Sequence, residues 1–308
     1  MTEKTNIGVI GAGLMGHAIA LSFARAGHSV KVHDPAPESL ASLKLRVRTS
    51  LSDIGHSTSD IETVLERITT SDSLAGAVVD AGYVTEAGPE KLEVKWTIFA
   101  ALERHAPADS ILASNTSVIS ISRIAEAVTD RSRVVGTHWW NPGHMIPLVE
   151  IIRTEWVDDA VMDRTEAILT NIGKSPVRVE KDVPGFIGNR LQHALWREAI
   201  SLVERGICSA EAVDMVVKSS FGRRLAVLGP LENADLIGTD LTLDIHENVL
   251  FDLESRRGPS PYLRQLVADG RLGMKSGQGF RSWTEEERAE TRAGVAQHLK
   301  RLEGLLKH

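Results

Sequence analysis

The sequence contains a single cysteine, Cys208, among 308 residues. One thiol cannot close an internal disulfide and cannot build a cysteine-based zinc site. Cys208 therefore reads as a small packed residue. No charged leader followed by an apolar segment opens the chain, because Thr5 to Ile10 already reads as a strand. No apolar run approaches the roughly 18–20 residues that a membrane span needs. Basic charge is not in excess either: 35 Lys and Arg stand against 41 Asp and Glu, a net charge of -6. That balance argues against nucleic acid or a membrane surface as partner. We find no internal repeat, no low-complexity linker and no metal-ligand cluster. These absences leave a soluble, cytoplasmic protein that acts on a small molecule.

What remains is an ordinary globular composition, with 42% hydrophobic and 25% charged residues, long enough for two domains. Asn6 to Ile10 is a short β-prone run, followed at once by GAGLMG (Gly11 to Gly16) and a helix-like segment from Leu14 to Ala26. Gly11, Gly13 and Gly16 fit a dinucleotide-binding turn, around Leu14 and Met15. The first permits the tight bend, the second lets backbone approach a pyrophosphate, and the third lets helix pack on strand. A second strand, Ser29 to His33, ends in Asp34, 18 positions beyond Gly16. A carboxylate there binds the adenosine ribose and repels a ribose phosphate. Pro35-Ala36-Pro37 offers no arginine to offset that repulsion, so NAD is expected over NADP.

From Glu38 to about Arg67 the pattern gives two helix-like segments broken near Gly55-His56-Ser57. Lys44, Arg46 and Arg48 lie on the first, as a site for a polyanionic substrate tail or as a solvated face. Strands then alternate with helices: Ile68 to Thr70, Gly82 to Thr85, a helix Glu90 to His105, and a strand Ser110 to Ala113 before Ser114-Asn115-Thr116-Ser117. Such alternation implies a parallel sheet covered on both faces, with ligand groups at the carboxyl ends of its strands. Glu86, Glu90, Asn115, Ser117 and His138 all follow strand-like runs.

The central stretch is Val134 to Glu150, VVGTHWWNPGHMIPLVE. Two β-prone runs, separated by Asn141-Pro142, carry His138 and Glu150. A reversal of the chain brings the imidazole to the carboxylate, which fixes its tautomer and raises its basicity. That is the pattern of a general base. A helix (Asp159 to Ile172) and a strand (Ser175 to Val179) follow, and Asp182 to Phe186 (DVPGF) marks a domain boundary. Beyond it only helical patterns appear: Phe186 to Glu204, Ser209 to Ser220, Glu232 to Leu253, Pro261 to Ala268 and Glu285 to Lys307. The expected architecture is a Rossmann-type α/β domain, residues 1–183, followed by an all-helical domain, residues 184–308.

With these motifs in order, the chain resembles the L-3-hydroxyacyl-CoA dehydrogenase family along almost its whole length. The resemblance rests on GAGLMG with Asp34, Ser114 to Ser117, the His138 to Glu150 segment, and DVPGFIGNR (Asp182 to Arg190). GPLENADLIGTD (Gly229 to Asp240) and LGMKSGQGF (Leu272 to Phe280) extend it. It implies an NAD-dependent enzyme whose two domains meet at the substrate, often dimeric through the helical domain. By position, His138 becomes the catalytic base and Glu150 its orienting partner. Ser117 and Asn189 bind the reacting oxygen and hold the substrate. Glu90, Lys95, Asn115 and Asn141 lie near the nicotinamide, and Lys275 approaches the cofactor from the second domain. The implied reaction is hydride transfer at the carbinol carbon of a 3-hydroxyacyl compound, with no metal required.

Some residues depart from the acyl-CoA pattern. Trp139-Trp140 stands where acyl-CoA members commonly have two phenylalanines. Pro147 before Leu148-Val149-Glu150 is similar to relatives that act on free hydroxy acids, the L-gulonate and carnitine dehydrogenases. His144 is similar to the pyridine-carboxylate aldehyde dehydrogenases. His144 and Trp140 are thus candidate substrate contacts, against a solvated loop and a packed core as the alternatives. The second expectation is oxidation of an aldehyde or hydroxymethyl group on an aromatic ring. A third is a non-enzymatic NAD-binding or crystallin-like protein.

Overall fold

The computed structural model describes residues 4–306. Eight strands form: β1 Ile7–Ile10, β2 Val30–His33, β3 Ile68–Thr70, β4 Tyr83–Glu86, β5 Ile111–Ser114, β6 Val134–Trp139, β7 Leu148–Ile152 and β8 Ser175–Val179. They make one sheet in the order β3-β2-β1-β4-β5-β6-β7-β8. The pairs are parallel except β6 with β7, which is antiparallel. β6 and β7 are joined by a loop with no helix in it, and a crossover back to a parallel neighbour needs a longer connection. The alternating elements make the parallel part of the sheet, and the chain reversal expected between the runs carrying His138 and Glu150 is this antiparallel hairpin.

Helices cover both faces. They are α1 Leu14–Arg25, α2 Pro37–Ala41, α3 Leu43–Asp53, α4 Thr58–Glu66, α5 Leu74–Val78, α6 Leu92–His105, α7 Ile121–Ala125 and α8 Asp159–Asn171; α9 Gly188–Glu204 follows them in the chain. Successive strand residues point to opposite faces. Ile111 and Ala113 accordingly enter the apolar cluster holding Phe23, Val47 and Met162, while Leu112 enters the one holding Phe99, Leu102 and Ile124. α5 and α7 span five residues each, too short to show a helical period in the sequence. Ser73 and Ser120 cap them, accepting from Gly76 N and Arg123 N.

Among the described residues the chain divides after Arg190 into two compact units, with the segment from Leu299 onward grouped with the first. The second unit, residues 191–298, holds most of α9, then α10 Ala210–Ser219, α11 Pro230–Ile237, α12 Thr239–Val249, α13 Pro261–Ala268 and the start of α14 Glu285–Leu306. The single helix expected over Glu232 to Leu253 is two, because Gly238 adopts φ 102 between them. That backbone conformation lies outside the right-handed helix and suits glycine. Among the described residues no helix is long and apolar enough to cross a membrane.

Candidate active site

β1 lies between β2 and β4, so the strand order reverses direction beside it, and the carboxyl ends of β1 and β4 flank the crevice of a doubly wound sheet. The β1–α1 turn opens there. Gly11 has φ 103, and a Cβ on it would lie 2.6 Å from Ala87 O. On Gly16 a Cβ would lie 1.9 Å from Gly11 O, so any side chain would force α1 away from the turn. Gly13 faces open space, with nothing within 4 Å of an added Cβ. Leu14 is exposed at the start of α1, while Met15 packs against the core. Asp34, at the tip of β2, accepts Ala12 N–H at 2.7 Å and Ala36 N–H at 2.9 Å. The open glycine face, the bare helix N-terminus and the fixed carboxylate fit a dinucleotide, whose pyrophosphate Gly13 would face and whose ribose Asp34 would hold.

At the ends of β4 and β5 lies a buried ionic group. Lys95 on α6 is 1% exposed, and its Nζ is 2.9 Å from both oxygens of Glu86, itself fully buried. Ser114 Oγ and Gly88 N–H also donate to Glu86, each at 2.7 Å. A buried ammonium and carboxylate persist only when each is paired and its remaining sites are satisfied. The same Lys95 stands 3.5 Å from Glu90, which is more exposed. Glu90 Oε1 accepts Thr116 Oγ1 at 2.5 Å, Ser117 N–H at 2.9 Å and Val118 N–H at 3.1 Å. Burial pushes the Glu90 carboxyl up, but these bonds and the Lys95 charge outweigh it and hold the pKa below the ordinary value. Lys95 thus ties α6 to the loop that presents Asn115 and Ser117.

Next along the sheet edge, His138 and Glu150 are register partners across the β6–β7 hairpin. His138 Nδ1 lies 2.7 Å from Glu150 Oε2, and both side chains are buried. Glu150 receives three further donors: Trp140 Nε1–H at 3.3 Å, Ile187 N–H at 2.8 Å and Gly188 N–H at 3.0 Å. Burial raises the Glu150 pKa; the His138 and backbone bonds more than offset this and keep it low. A carboxylate with several donors stays ionised, so His138 donates through Nδ1 and is left with Nε2 as its basic nitrogen. Trp140 and Phe186 flank the imidazole, with ring centroids 5.3 and 5.5 Å away. Asn189 Nδ2 donates to Ser117 O at 3.0 Å, which links the start of α9 to the loop after β5. Asn115 Oδ1 accepts Trp139 N–H at 2.9 Å and joins that loop to β6.

The structure therefore gathers His138, Glu150, Trp140, Ser117, Asn189, Asn115, Glu90 and Lys95 through direct bonds and shared loops. Asn141 is exposed in the β6–β7 loop, and Lys275 is exposed in the second unit. His144 has different company. Its ring is 6.5 Å from His17 on α1, and Lys174, Asp53 and Arg25 supply the charges around it. Burial, with help from His17 and Lys174, lowers its pKa to about 4. Arg46 donates to the carbonyls of Gly13 and Ser39, and Arg48 pairs with Glu62. Two participants escaped the sequence reading: Glu86 as the partner of Lys95, and the Ile187 and Gly188 amides on Glu150. The strand-end position of Glu86 was the available signal for the first. For the second it was DVPGF, where Gly185 and then Phe186 take positive φ (76 and 51) and turn the chain toward Glu150.

Residues 6–183 match the model of the 3-hydroxyacyl-CoA dehydrogenase NAD binding domain, and residues 185–283 match that family's C-terminal domain. The chain is 34% identical, over 96% of its own length and 96% of the relative's, to 5-formyl-3-hydroxy-2-methylpyridine 4-carboxylate 5-dehydrogenase of Mesorhizobium japonicum. It is 38% identical to a probable 3-hydroxybutyryl-CoA dehydrogenase of Bacillus subtilis, over 92% of this chain and 99% of that one. Among solved structures, a 5-formyl-3-hydroxy-2-methylpyridine 4-carboxylic acid 5-dehydrogenase, described as an NAD+ dependent dismutase, superposes with a TM-score of 0.91 at 31% identity, covering 99% of both chains. The (S)-3-hydroxybutyryl-CoA dehydrogenase of Ralstonia eutropha gives 0.75 at 30% identity, covering 92% of this chain and all of that one (100%).

Proposed function

The chain belongs to the 3-hydroxyacyl-CoA dehydrogenase family, NAD-dependent oxidoreductases acting on CH–OH groups, and from that premise we propose that His138 is the acid–base group for a 3-hydroxyacyl compound. The observation that carries the proposal is the 2.7 Å bond from His138 Nδ1 to buried Glu150. In this reading Nε2 removes the proton of the substrate hydroxyl as the carbinol becomes a carbonyl, and returns it in the reverse direction. NAD, when bound, accepts or supplies the hydride. Glu150 holds the imidazole in one tautomer and stabilises its protonated form. Ser117 and Asn189 bind the reacting oxygen, a role for neutral donors that strengthens as charge develops there. Asn115, Glu90 and Lys95 shape the nicotinamide side of the site. A positioned base of this kind contributes about 10²–10⁴-fold to rate.

A second reading has its own support. The likeness to the pyridine dehydrogenase spans 99% of both chains. Of the three basic residues on α3 considered for a polyanionic tail, Arg46 and Arg48 are engaged with Gly13, Ser39 and Glu62, and Lys44 is exposed. A CoA tail carries several phosphate charges and calls for such residues. A small ring aldehyde bearing a carboxylate does not. His138 then activates a water that adds to the aldehyde carbon, giving a hydrate that is itself a carbinol. The proton chemistry of His138 is the same in both readings.

NADH formation measured with 3-hydroxybutyryl-CoA, free 3-hydroxybutyrate and a pyridine-carboxylate aldehyde separates them. Turnover of either 3-hydroxy compound supports the first reading, and turnover of the aldehyde alone supports the second. An NADH-binding protein inert toward all three, and toward longer acyl chains, contradicts both. The exposed apolar side chains of the second unit, Phe251 at 83% and Leu231 at 79% among them, further support a homodimer formed through the helical domain.

A further inference from the structure

Three donors converge on one carbonyl at the dinucleotide turn. Gly13 O accepts the His17 backbone N–H at 3.2 Å, His17 Nδ1–H at 3.1 Å and Arg46 Nη1–H at 3.0 Å. The first is the opening hydrogen bond of α1. The other two are additions from side chains, one of them reaching over from α3. Both side chains are anchored at their far ends. Arg46 Nη2 donates to Ser39 O at 2.8 Å, and His17 Nε2 lies 3.2 Å from Ser50 Oγ. The ring of His17 is buried, and Ser50 is buried with it. With Nδ1 donating to a carbonyl, Nε2 accepts from the serine hydroxyl, so one neutral tautomer satisfies the whole chain of bonds.

The consequence follows from peptide geometry. A trans peptide points its C=O and its N–H in opposite directions within one plane. Fixing the Gly13 oxygen on the inner side of the turn therefore fixes the direction of the Leu14 N–H on the outer side. Leu14 is the first residue of α1, and its N–H belongs to the group that has no partner within the helix. An added Cβ on Gly13 would meet no atom within 4 Å among the described residues, so this side of the turn is open. Glycine also gives the turn its largest backbone freedom.

We propose that Arg46 and His17 are positioning residues for the cofactor, bracing the Gly13–Leu14 peptide so that its N–H stays aimed at the NAD pyrophosphate. Arg46 then serves the dinucleotide from behind the turn and is not a contact for a substrate tail. The inference rests on NAD binding and is independent of the role of His138.

The test is NADH affinity, read by fluorescence titration of Arg46→Met, Arg46→Lys and His17→Gln beside the wild type. A hydrogen bond from a charged donor is worth enough that losing it weakens NADH binding about tenfold in Arg46→Met. Arg46→Lys, which restores one donor, recovers part of that loss. kcat at saturating NAD stays within about twofold of wild type, because the brace acts on binding. Hydrogen exchange of the Leu14 amide in the NADH complex speeds up in parallel. A merely structural role would instead lower the melting temperature and leave NADH affinity in the folded fraction unchanged. Unchanged NADH affinity in Arg46→Met overturns the proposal, as does a fall in kcat with affinity intact. Should Arg46→Met fail to fold, Arg46→Lys and His17→Gln decide on the same readings.

Discussion

The two units of this chain bury their side chains very differently. The first packs two apolar clusters against the faces of its sheet and encloses ionisable groups as well: Lys95, Glu86, His138 and Glu150 are each at most 4% exposed. In the second unit, Ser201, Gly279 and Leu266 are the buried residues among those described. Large apolar side chains there stay in solvent, with Phe251 at 83%, Leu231 and Val227 at 79%, and Leu236 at 72% exposed. An apolar surface of that kind marks a site of association more often than a finished exterior. The first unit thus pairs its ionisable groups internally, and the second leaves the apolar face that the proposed homodimer would cover.

The sharpest way to break that contrast is to unpair the first unit's interior. Lys95→Met leaves Glu86 buried with no cation, and breaking a buried pair from one side costs about 3–5 kcal/mol. Chemical denaturation should register a loss of that size. A loss below about 1 kcal/mol would mean that water reaches Glu86 and that the interior is less sealed than its exposure indicates. For the second unit, Leu236→Asp combined with Phe251→Asp should shift a dimer toward monomer, by about tenfold or more in dissociation constant. Sedimentation velocity reads this directly, and an unchanged assembly would place the interface elsewhere.

The smallest effect is a pH dependence confined to the first unit. His17 is faced by Arg46, Ser50 and the Gly13 carbonyl, and His144 by His17, Lys174, Asp53 and Arg25. Burial lowers both pKa values, that of His144 to about 4 from an ordinary 6.5. The unfolded chain therefore binds protons that the folded chain refuses. Stability is complete above about pH 6.5 and declines as pH falls toward about 4. The midpoint of urea denaturation should follow this course, and His144→Gln should flatten it. Equal slopes in variant and wild type would show that other groups govern the acid side. Glu150 acts in a lower window, since its depressed pKa removes stability only below the ordinary carboxylate range.

Much of the first unit was legible because its signals are local. The glycine turn, Asp34 at the end of a strand, and the two β-prone runs carrying His138 and Glu150 each span a few residues. The architecture then places them at one sheet edge. What could not be read needed contacts across the fold. Glu86 and Lys95 carry no mutual signal in sequence, and only the packing of α6 beside β4 and β5 brings them to 2.9 Å. Arg46 has the composition of a surface cation, yet α3 lies alongside α1 and delivers it to Gly13. His144 lies between His138 and Glu150 in sequence, but the β6–β7 loop turns it toward α1. In the second unit, apolar residues at helical spacing looked the same whether they face an internal core or a partner. The break at Gly238 depends on a backbone conformation that glycine permits without announcing.

In the proposed function His138, held by Glu150, moves the proton that accompanies hydride transfer. The most direct test is single-turnover NADH formation by His138→Gln on the best substrate, with NADH affinity measured on the same preparation. A fall of about 10²–10⁴-fold in rate with NADH affinity retained is the predicted result. Wild-type turnover in a folded, NADH-binding His138→Gln protein would contradict the account.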